Sequence, residues 1–237
     1  LFFLGSVLMR SAGCIVNDIV DKDIDKKVIR TKNRPLANDS ISLKLALTYV
    51  VILCALAFFI LIQFNVLTII LGFVSMILAF SYPFMKRITY WPQLFLGLTF
   101  NWGIVMAWTA MTNNVSVEII IFYTAAIFWT LGYDTIYGIQ DIVDDEIIGV
   151  KSTSIKFKEN IKLFVGACYF LSSAIIIYLF YDQLGLNNFT ILVTIFIISL
   201  VYQIIKFKEN NPRKCLQAFK VNNFSGFLLF FGMFLIK

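Results

Sequence analysis

The sequence predicts an all-α, polytopic membrane helix bundle, and three observations predict it. Hydrophobic residues make up 59% of the 237 residues, against roughly 45–50% in an ordinary soluble domain. Charged residues are only 14%, against about 25%, and mean hydropathy is +0.84. The apolar residues come in long uncharged runs at 45–85, 88–117, 119–133, 163–181, 183–205 and 221–236. A span needs about 20 mostly apolar residues, and only helices or closed barrels satisfy their backbone polar groups in lipid. These runs are continuous rather than alternating, which selects helices over barrel strands.

Eight membrane segments follow in order. The first, about 1–17, is apolar apart from Arg10 and is short for a span. The run 45–85 is twice the needed length, and Gln63-Phe64-Asn65 divides it into 43–62 and 66–85. Segments at 92–112, 117–138, 161–181, 187–206 and 222–236 take up the remaining runs. The chain starts at Leu1 rather than Met, which leads us to expect sequence upstream of a single domain over 1–237.

Charge gives the orientation. Of 20 Lys and Arg residues, 18 fall in the loops after the first, third, fifth and seventh segments. The exceptions are Arg10, inside a helix, and Lys237, the last residue. This is the positive-inside pattern, so residues 18–44 and 139–160 are expected on the cytoplasmic side. Topology thus accounts for the net charge of +6 without nucleic-acid binding. The four cysteines show no CxxC spacing, and no signal peptide with a cleavage site is present.

Two acidic stretches interrupt the apolar pattern. In "RSAGCIVNDIVDKDIDKKVIRTKNRPLA", Asn17, Asp21 and Asp25 are spaced i, i+4, i+8, and Asp18 lies three residues before Asp21. These spacings share a helix face. In "YDTIYGIQDIVDDEIIGVKS", Asp134, Asp141 and Asp145 are spaced i, i+7, i+11, with Asp144 beside them. Asp21 to Asp141 and Asp25 to Asp145 are both 120 residues apart, which hints at an internal repeat. Clustered carboxylates repel, and a bound cation removes the repulsion. Mg²⁺ takes one or two carboxylates, keeps waters and completes its shell with phosphate oxygens. The chain has no histidine, which excludes His-based triads and most zinc sites. Arg30, Arg34, Lys86, Arg87 and Lys151 suit phosphate oxygens. Aspartates, Mg²⁺ and basic residues together describe a diphosphate site at a membrane surface. Arg10 lies seven residues before Asn17 on the same face, where a charge costs about 2.5–3.5 kcal/mol to insert.

The segments "NDIVDKDID" and "DTIYGIQDIVDDEIIGVKST" resemble the two Asp-rich motifs of the UbiA-type intramembrane prenyltransferases. "RSAGCIVND", "RTKNRPLA" and "SYPFMKRITYWPQ" resemble the 4-hydroxybenzoate polyprenyltransferase branch, and the resemblance is densest over 10–155. It implies a bundle of nine transmembrane helices around a central cavity, of which the first is absent here. It implies transfer of a polyprenyl group from polyprenyl diphosphate to the ring of 4-hydroxybenzoate, in ubiquinone biosynthesis, at a bacterial inner membrane. By the same resemblance Asp18, Asp21 and Asp25 serve one Mg²⁺, and Asp141 and Asp145 another. Asn17 is a neutral ligand or a brace, and Arg30, Arg34 and Lys151 bind diphosphate. Either Arg10 or Arg87 holds the benzoate carboxylate. Tyr137, one turn after Asp134, offers its ring to a carbocation or simply packs at the membrane interface. Asn101 in "TFNWG" departs from the small residue expected there.

Other readings remain open at this level. The acceptor could be haem, homogentisate, a naphthoate or a chlorophyll precursor. A cation transporter with acidic gates would bury its charges near the bilayer midplane, whereas residues 45–85 here carry none. An inactive membrane remnant is the third alternative.

Overall fold

The structure, a computed structural model, describes residues 1–236. Eleven helices follow one another along the described residues, with no strand among them. In order they are α1 (Phe2–Asp25), α2 (Leu43–Leu61), α3 (Val66–Ser81), α4 (Met85–Ile88), α5 (Pro92–Thr112) and α6 (Val117–Gly138). Then come α7 (Ile142–Ile148), α8 (Thr153–Lys156), α9 (Ile161–Leu179), α10 (Asn188–Lys206) and α11 (Pro212–Phe234). The short helix α4 lies in the connection before α5, and α7 and α8 lie in the connection between α6 and α9.

Local chemistry sets the helix starts. Ser42, Asn65, Asn187 and Asn211 each accept a hydrogen bond from the backbone N–H three residues on. Those bonds satisfy donors that the helix itself leaves orphaned. Pro92 and Pro212 occupy first-turn positions, where a missing N–H costs nothing. Asn113 in the left-handed region (φ 52°) ends α5.

Each of the eight expected segments falls on a long helix. Seven stretches are long and apolar enough to cross a membrane. The exception is α11, which begins at Pro212 rather than near 222 and carries Gln217, Lys220, Asn222 and Asn223 in its first half. At the other end α1 continues past residue 17 to Asp25, so the first acidic motif is helical throughout.

The two halves of the bundle pack differently. α6 is the most enclosed helix, lying against α9 on one side and α5 on the other, while α10 pairs with α11. Phe196, Leu200, Val165 and Ile176 fill the core between them. In the N-terminal half α1 pairs with α2 and α3 with α5, and much of the inward surface faces a cavity instead of side chains. Lipid tails are as apolar as a protein core, so helices in lipid associate through close packing and interhelical hydrogen bonds. Here Thr68 and Thr109 join α3 to α5 at 3.1 Å, and Asn101 Nδ2 donates to Thr130 Oγ1 and to the Ala126 carbonyl of α6. Tyr169 donates to Gln203, and Gln203 to Ser225, which ties α9, α10 and α11. The polar Asn101 therefore acts as a clasp between α5 and α6.

α6 and α9 pack tightly at Gly132, where a Cβ would lie 2.5 Å from the Tyr169 ring. Tyr169 is buried and fixed by its bond to Gln203, so it has little room to give. Gly132→Ala is expected to destabilise the detergent-solubilised protein by about 1–3 kcal/mol, the usual cost of overpacking. Gly103→Ala, with nothing within 4 Å of its Cβ, is the control and should leave the thermal midpoint unchanged.

Candidate active site

The charged residues of the two acidic motifs meet at one end of the bundle. α1 brings Asn17, Asp21 and Asp25 there, and the turn and helix after α6 bring Asp141 and Asp145. The helix expected to run through the second motif is broken by a 3-10 turn over Ile139–Asp141. Gly138, just before the break, sits so close to Ser154 that a Cβ there would lie 2.5 Å from its hydroxyl oxygen. Despite the break, Asp134, Asp141 and Asp145 all line the same cavity of about 200 Å³.

The α1–α2 connection folds back over this cavity and is anchored by buried Val28, Thr31, Leu36 and Ala37. It delivers Arg30 and Arg34. Arg30 forms a two-pronged pair with Asp141, Nε to Oδ1 at 2.9 Å and Nη2 to Oδ2 at 2.5 Å. Its Nη1 donates to the Tyr137 hydroxyl at 2.8 Å, and its guanidinium lies 5.1 Å from the Tyr137 ring centre. Donating to the Asp141 carboxylate moves the Arg30 pKa upward against the effect of burial. Arg34 Nη1 bridges Asp18 and Asp25, at 2.9 Å to each.

The deepest carboxylate is Asp21, 2% exposed. Lys86, from α4, donates to its Oδ2. Its Oδ1 is buried without a hydrogen-bond partner. Lys151 completes the set: its backbone N–H donates to the Lys86 carbonyl at 2.8 Å and its Nζ to the Ile88 carbonyl at 3.1 Å.

A second, larger cavity of about 920 Å³ lies between α1, α2, α3 and α5 and is mostly apolar. Asn17, Arg34, Tyr82, Asp134 and Tyr137 line both cavities, so the two share a wall. Asp18 and Arg10 line the large cavity and not the small one. Arg10 lies 5.2 Å from the Phe100 ring centre. Arg87 lines neither cavity; it donates to the Val20 carbonyl at 2.5 Å and stays exposed. Tyr82 and Gln93 line the small cavity but were not singled out by the sequence. Neither has a charge or a motif spacing to mark it, although "SYPFMKRITYWPQ" contains both.

Among the described residues no three acidic, Cys or His side chains surround one metal position. Cations hold the carboxylates of Asp18, Asp21, Asp25 and Asp141 instead. Asp21 Oδ1 accepts no hydrogen bond and has Arg87 Nη2 only at 4.0 Å, and Asp145 makes no ion pair among the described residues. Both residues line the small cavity, one from each half of the bundle. An all-oxygen wall with two available carboxylates and room for water and phosphate fits Mg²⁺ and disfavours zinc or copper.

Charged and apolar cavities joined in this way, in an integral membrane helix bundle, mark a membrane enzyme. The chain belongs to the UbiA prenyltransferase family, whose model matches residues 1–231. It is 42% identical over 236 residues to the 4-hydroxybenzoate octaprenyltransferase of Vibrio atlanticus (strain LGP32), covering 99% of this chain and 83% of that one. The fold is similar to the apo structure of a UbiA homolog from Aeropyrum pernix K1, with a TM-score of 0.86 at 24% identity over 98% of this chain and 87% of that one. It is also similar to a UbiA homolog from Archaeoglobus fulgidus bound to GPP and Mg²⁺, with a TM-score of 0.75 at 17% identity over 98% of this chain and 85% of that one.

The Lys86–Asp21 pair supplies a direct test of metal access. Removing one partner of a buried ion pair strands the other and costs about 3–5 kcal/mol. Lys86→Met is therefore expected to lower the thermal midpoint in metal-free detergent solution. Mg²⁺ should raise the midpoint of this variant more than that of the wild type, because it replaces the missing positive charge. An equal response of the two proteins would show that metal does not reach Asp21.

Proposed function

We propose that the protein transfers a polyprenyl group from polyprenyl diphosphate to the aromatic ring of 4-hydroxybenzoate, with Mg²⁺ as cofactor. The observation that carries this reading is the pairing of the two cavities. A small chamber walled by aspartates and basic residues suits the diphosphate, and the adjoining apolar chamber suits the polyprenyl tail. The name of the Vibrio atlanticus relative, at 42% identity, supports the choice of acceptor.

Asp21 and Asp145 would hold the metal, with Asn17, Asp25 and Asp141 close by; Asp18 acts through its bond to Arg34. When bound, Mg²⁺ draws negative charge onto the leaving diphosphate. Arg30, Arg34, Lys86 and Lys151 would neutralise the diphosphate oxygens from the other sides. The allylic C–O bond breaks heterolytically, and the electron pair leaves with the diphosphate. Tyr137, at the boundary of the two cavities, presents its ring where the carbocation forms. The acceptor carbon ortho to the phenol attacks, and the ring then loses its proton. Arg10 is assigned the acceptor carboxylate, because it lines the cavity shared with Asp134 whereas Arg87 lies outside. The positive-inside pattern supports a cytoplasmic position for the charged loops, and the name of the Vibrio atlanticus relative supports a bacterial inner membrane and the pathway to ubiquinone.

Membranes containing the protein, given labelled polyprenyl diphosphate, 4-hydroxybenzoate and Mg²⁺, should form a prenylated hydroxybenzoate. Preferential prenylation of haem, homogentisate or a naphthoate would overturn the acceptor. Asp21→Asn and Asp145→Asn should each lower kcat about a hundredfold or more, the scale of losing one electrostatic stabiliser.

Arg10→Lys removes the planar fork that matches a carboxylate. It should raise KM for the acceptor about tenfold, the effect of weakening a charge-assisted hydrogen bond. KM for polyprenyl diphosphate should stay within twofold.

A further inference from the structure

Gln93 is the second residue of α5 and is only 6% exposed. Its Oε1 accepts a hydrogen bond from the buried backbone N–H of Thr153 at 2.9 Å. This bond fixes which way the amide faces. A backbone N–H cannot donate to an amide NH₂, so the oxygen must point to Thr153 and Nε2 must point away. Nε2 has no acceptor among the described residues. It lies beside Gly138, where a Cβ would be 3.4 Å from it, and Gln93 and Gly138 both line the small charged cavity.

Gln93 lines the cavity, and an amide N–H there with no acceptor from the protein is available to a ligand. The cavity already holds the cations suited to an anion. The cations on this wall already hold carboxylates or backbone carbonyls, whereas the Gln93 amide is oriented by its own acceptor bond with its donor left over. We infer that Gln93 is a substrate-binding residue, donating from Nε2 to a diphosphate oxygen of the prenyl donor. This inference rests on the small cavity being the diphosphate site.

The Thr153 bond gives a clean separation of roles. Gln93→Glu keeps an oxygen for the Thr153 N–H but replaces the donor with an acceptor facing the anion. Thr153→Ala does the reverse. It removes the Thr135–Thr153 hydroxyl contact (2.7 Å) in the same wall while leaving Nε2 and the backbone N–H in place.

Inorganic pyrophosphate with Mg²⁺ is the probe, and binding is read by calorimetry on the detergent-solubilised protein. Q93E should bind pyrophosphate about tenfold or more weakly, the effect of losing a hydrogen bond to a charged group. Its KM for polyprenyl diphosphate should rise in parallel, with acceptor KM unchanged. T153A should bind within twofold of wild type even where its thermal midpoint falls. Gln93→Met, which keeps the length but neither polar atom, is read the same way as Q93E and covers the case in which that variant does not fold. Wild-type affinity in Q93E or in Gln93→Met would overturn the inference, and so would an equal loss in T153A. Failure of the wild type itself to bind pyrophosphate would sink the diphosphate-site reading instead.

Discussion

Everything at the charged end of this molecule follows from the cost of an uncompensated charge in a poorly solvated place. Asp21 is almost wholly enclosed, and the removal of a carboxylate from water is tolerated only with a counter-charge. Lys86 supplies it here, and the chain is arranged so that it can. The 3-10 turn after α3 and the short helix α4 carry the helical course on to Ile88, and Lys86 on α4 reaches Asp21 of α1. The same demand pulls the α1–α2 connection inward, since Arg30 and Arg34 are the partners of Asp141, Asp18 and Asp25. Charge neutralisation thus organises the loops, while packing organises the helices.

The contrast between the halves of the bundle follows from the same division. Around α6, α9, α10 and α11 the interior is filled with side chains and stitched by interhelical hydrogen bonds. Around α1, α2, α3 and α5 the interior is given over to a cavity, and the polar clasps lie at its margins. Thr68–Thr109 and the bond from Trp102 Nε1 to the Leu71 carbonyl (3.0 Å) hold α3 against α5 without filling the space between them and α1. A rigid half beside a hollow half is what a binding function for a long apolar molecule needs.

Much of this was legible in the sequence because membrane helices announce themselves by composition and length. The spacing of Asn17, Asp21 and Asp25 gave the inward face of α1 correctly, since the helix runs unbroken through Asp25. The second motif was harder. Its i, i+7, i+11 spacing presumes a continuous helix, and the 3-10 turn at Ile139–Asp141 follows Gly138, which is packed against Ser154, a contact that local spacing does not reveal. The first half of α11 was missed because its polar residues suppress the hydropathy signal while its helical hydrogen bonding is unaffected. The choice between Arg10 and Arg87 was open because both stand near acidic motifs, and only packing places one on a cavity and the other outside. Gln93 carries no charge and sits in no periodic pattern, so nothing short of the backbone geometry around Thr153 distinguishes it.

The straightness of α1 has a chemical consequence. Arg10, Asn17 and Asp21 lie along one unbroken helix, and at about 1.5 Å per residue Arg10 and Asp21 are set roughly 16 Å apart along its axis. On the proposed assignment, one end of this rod grips the acceptor carboxylate and the other addresses the diphosphate. The helix then works as a jig. It holds a rigid aromatic ring at a fixed offset from the breaking C–O bond, so that a carbon ortho to the phenol, which the hydroxyl already activates, is presented to the cation. Inserting one residue between Arg10 and Asn17 would lengthen the rod by only about 1.5 Å, but it would turn the two grips about 100° out of line.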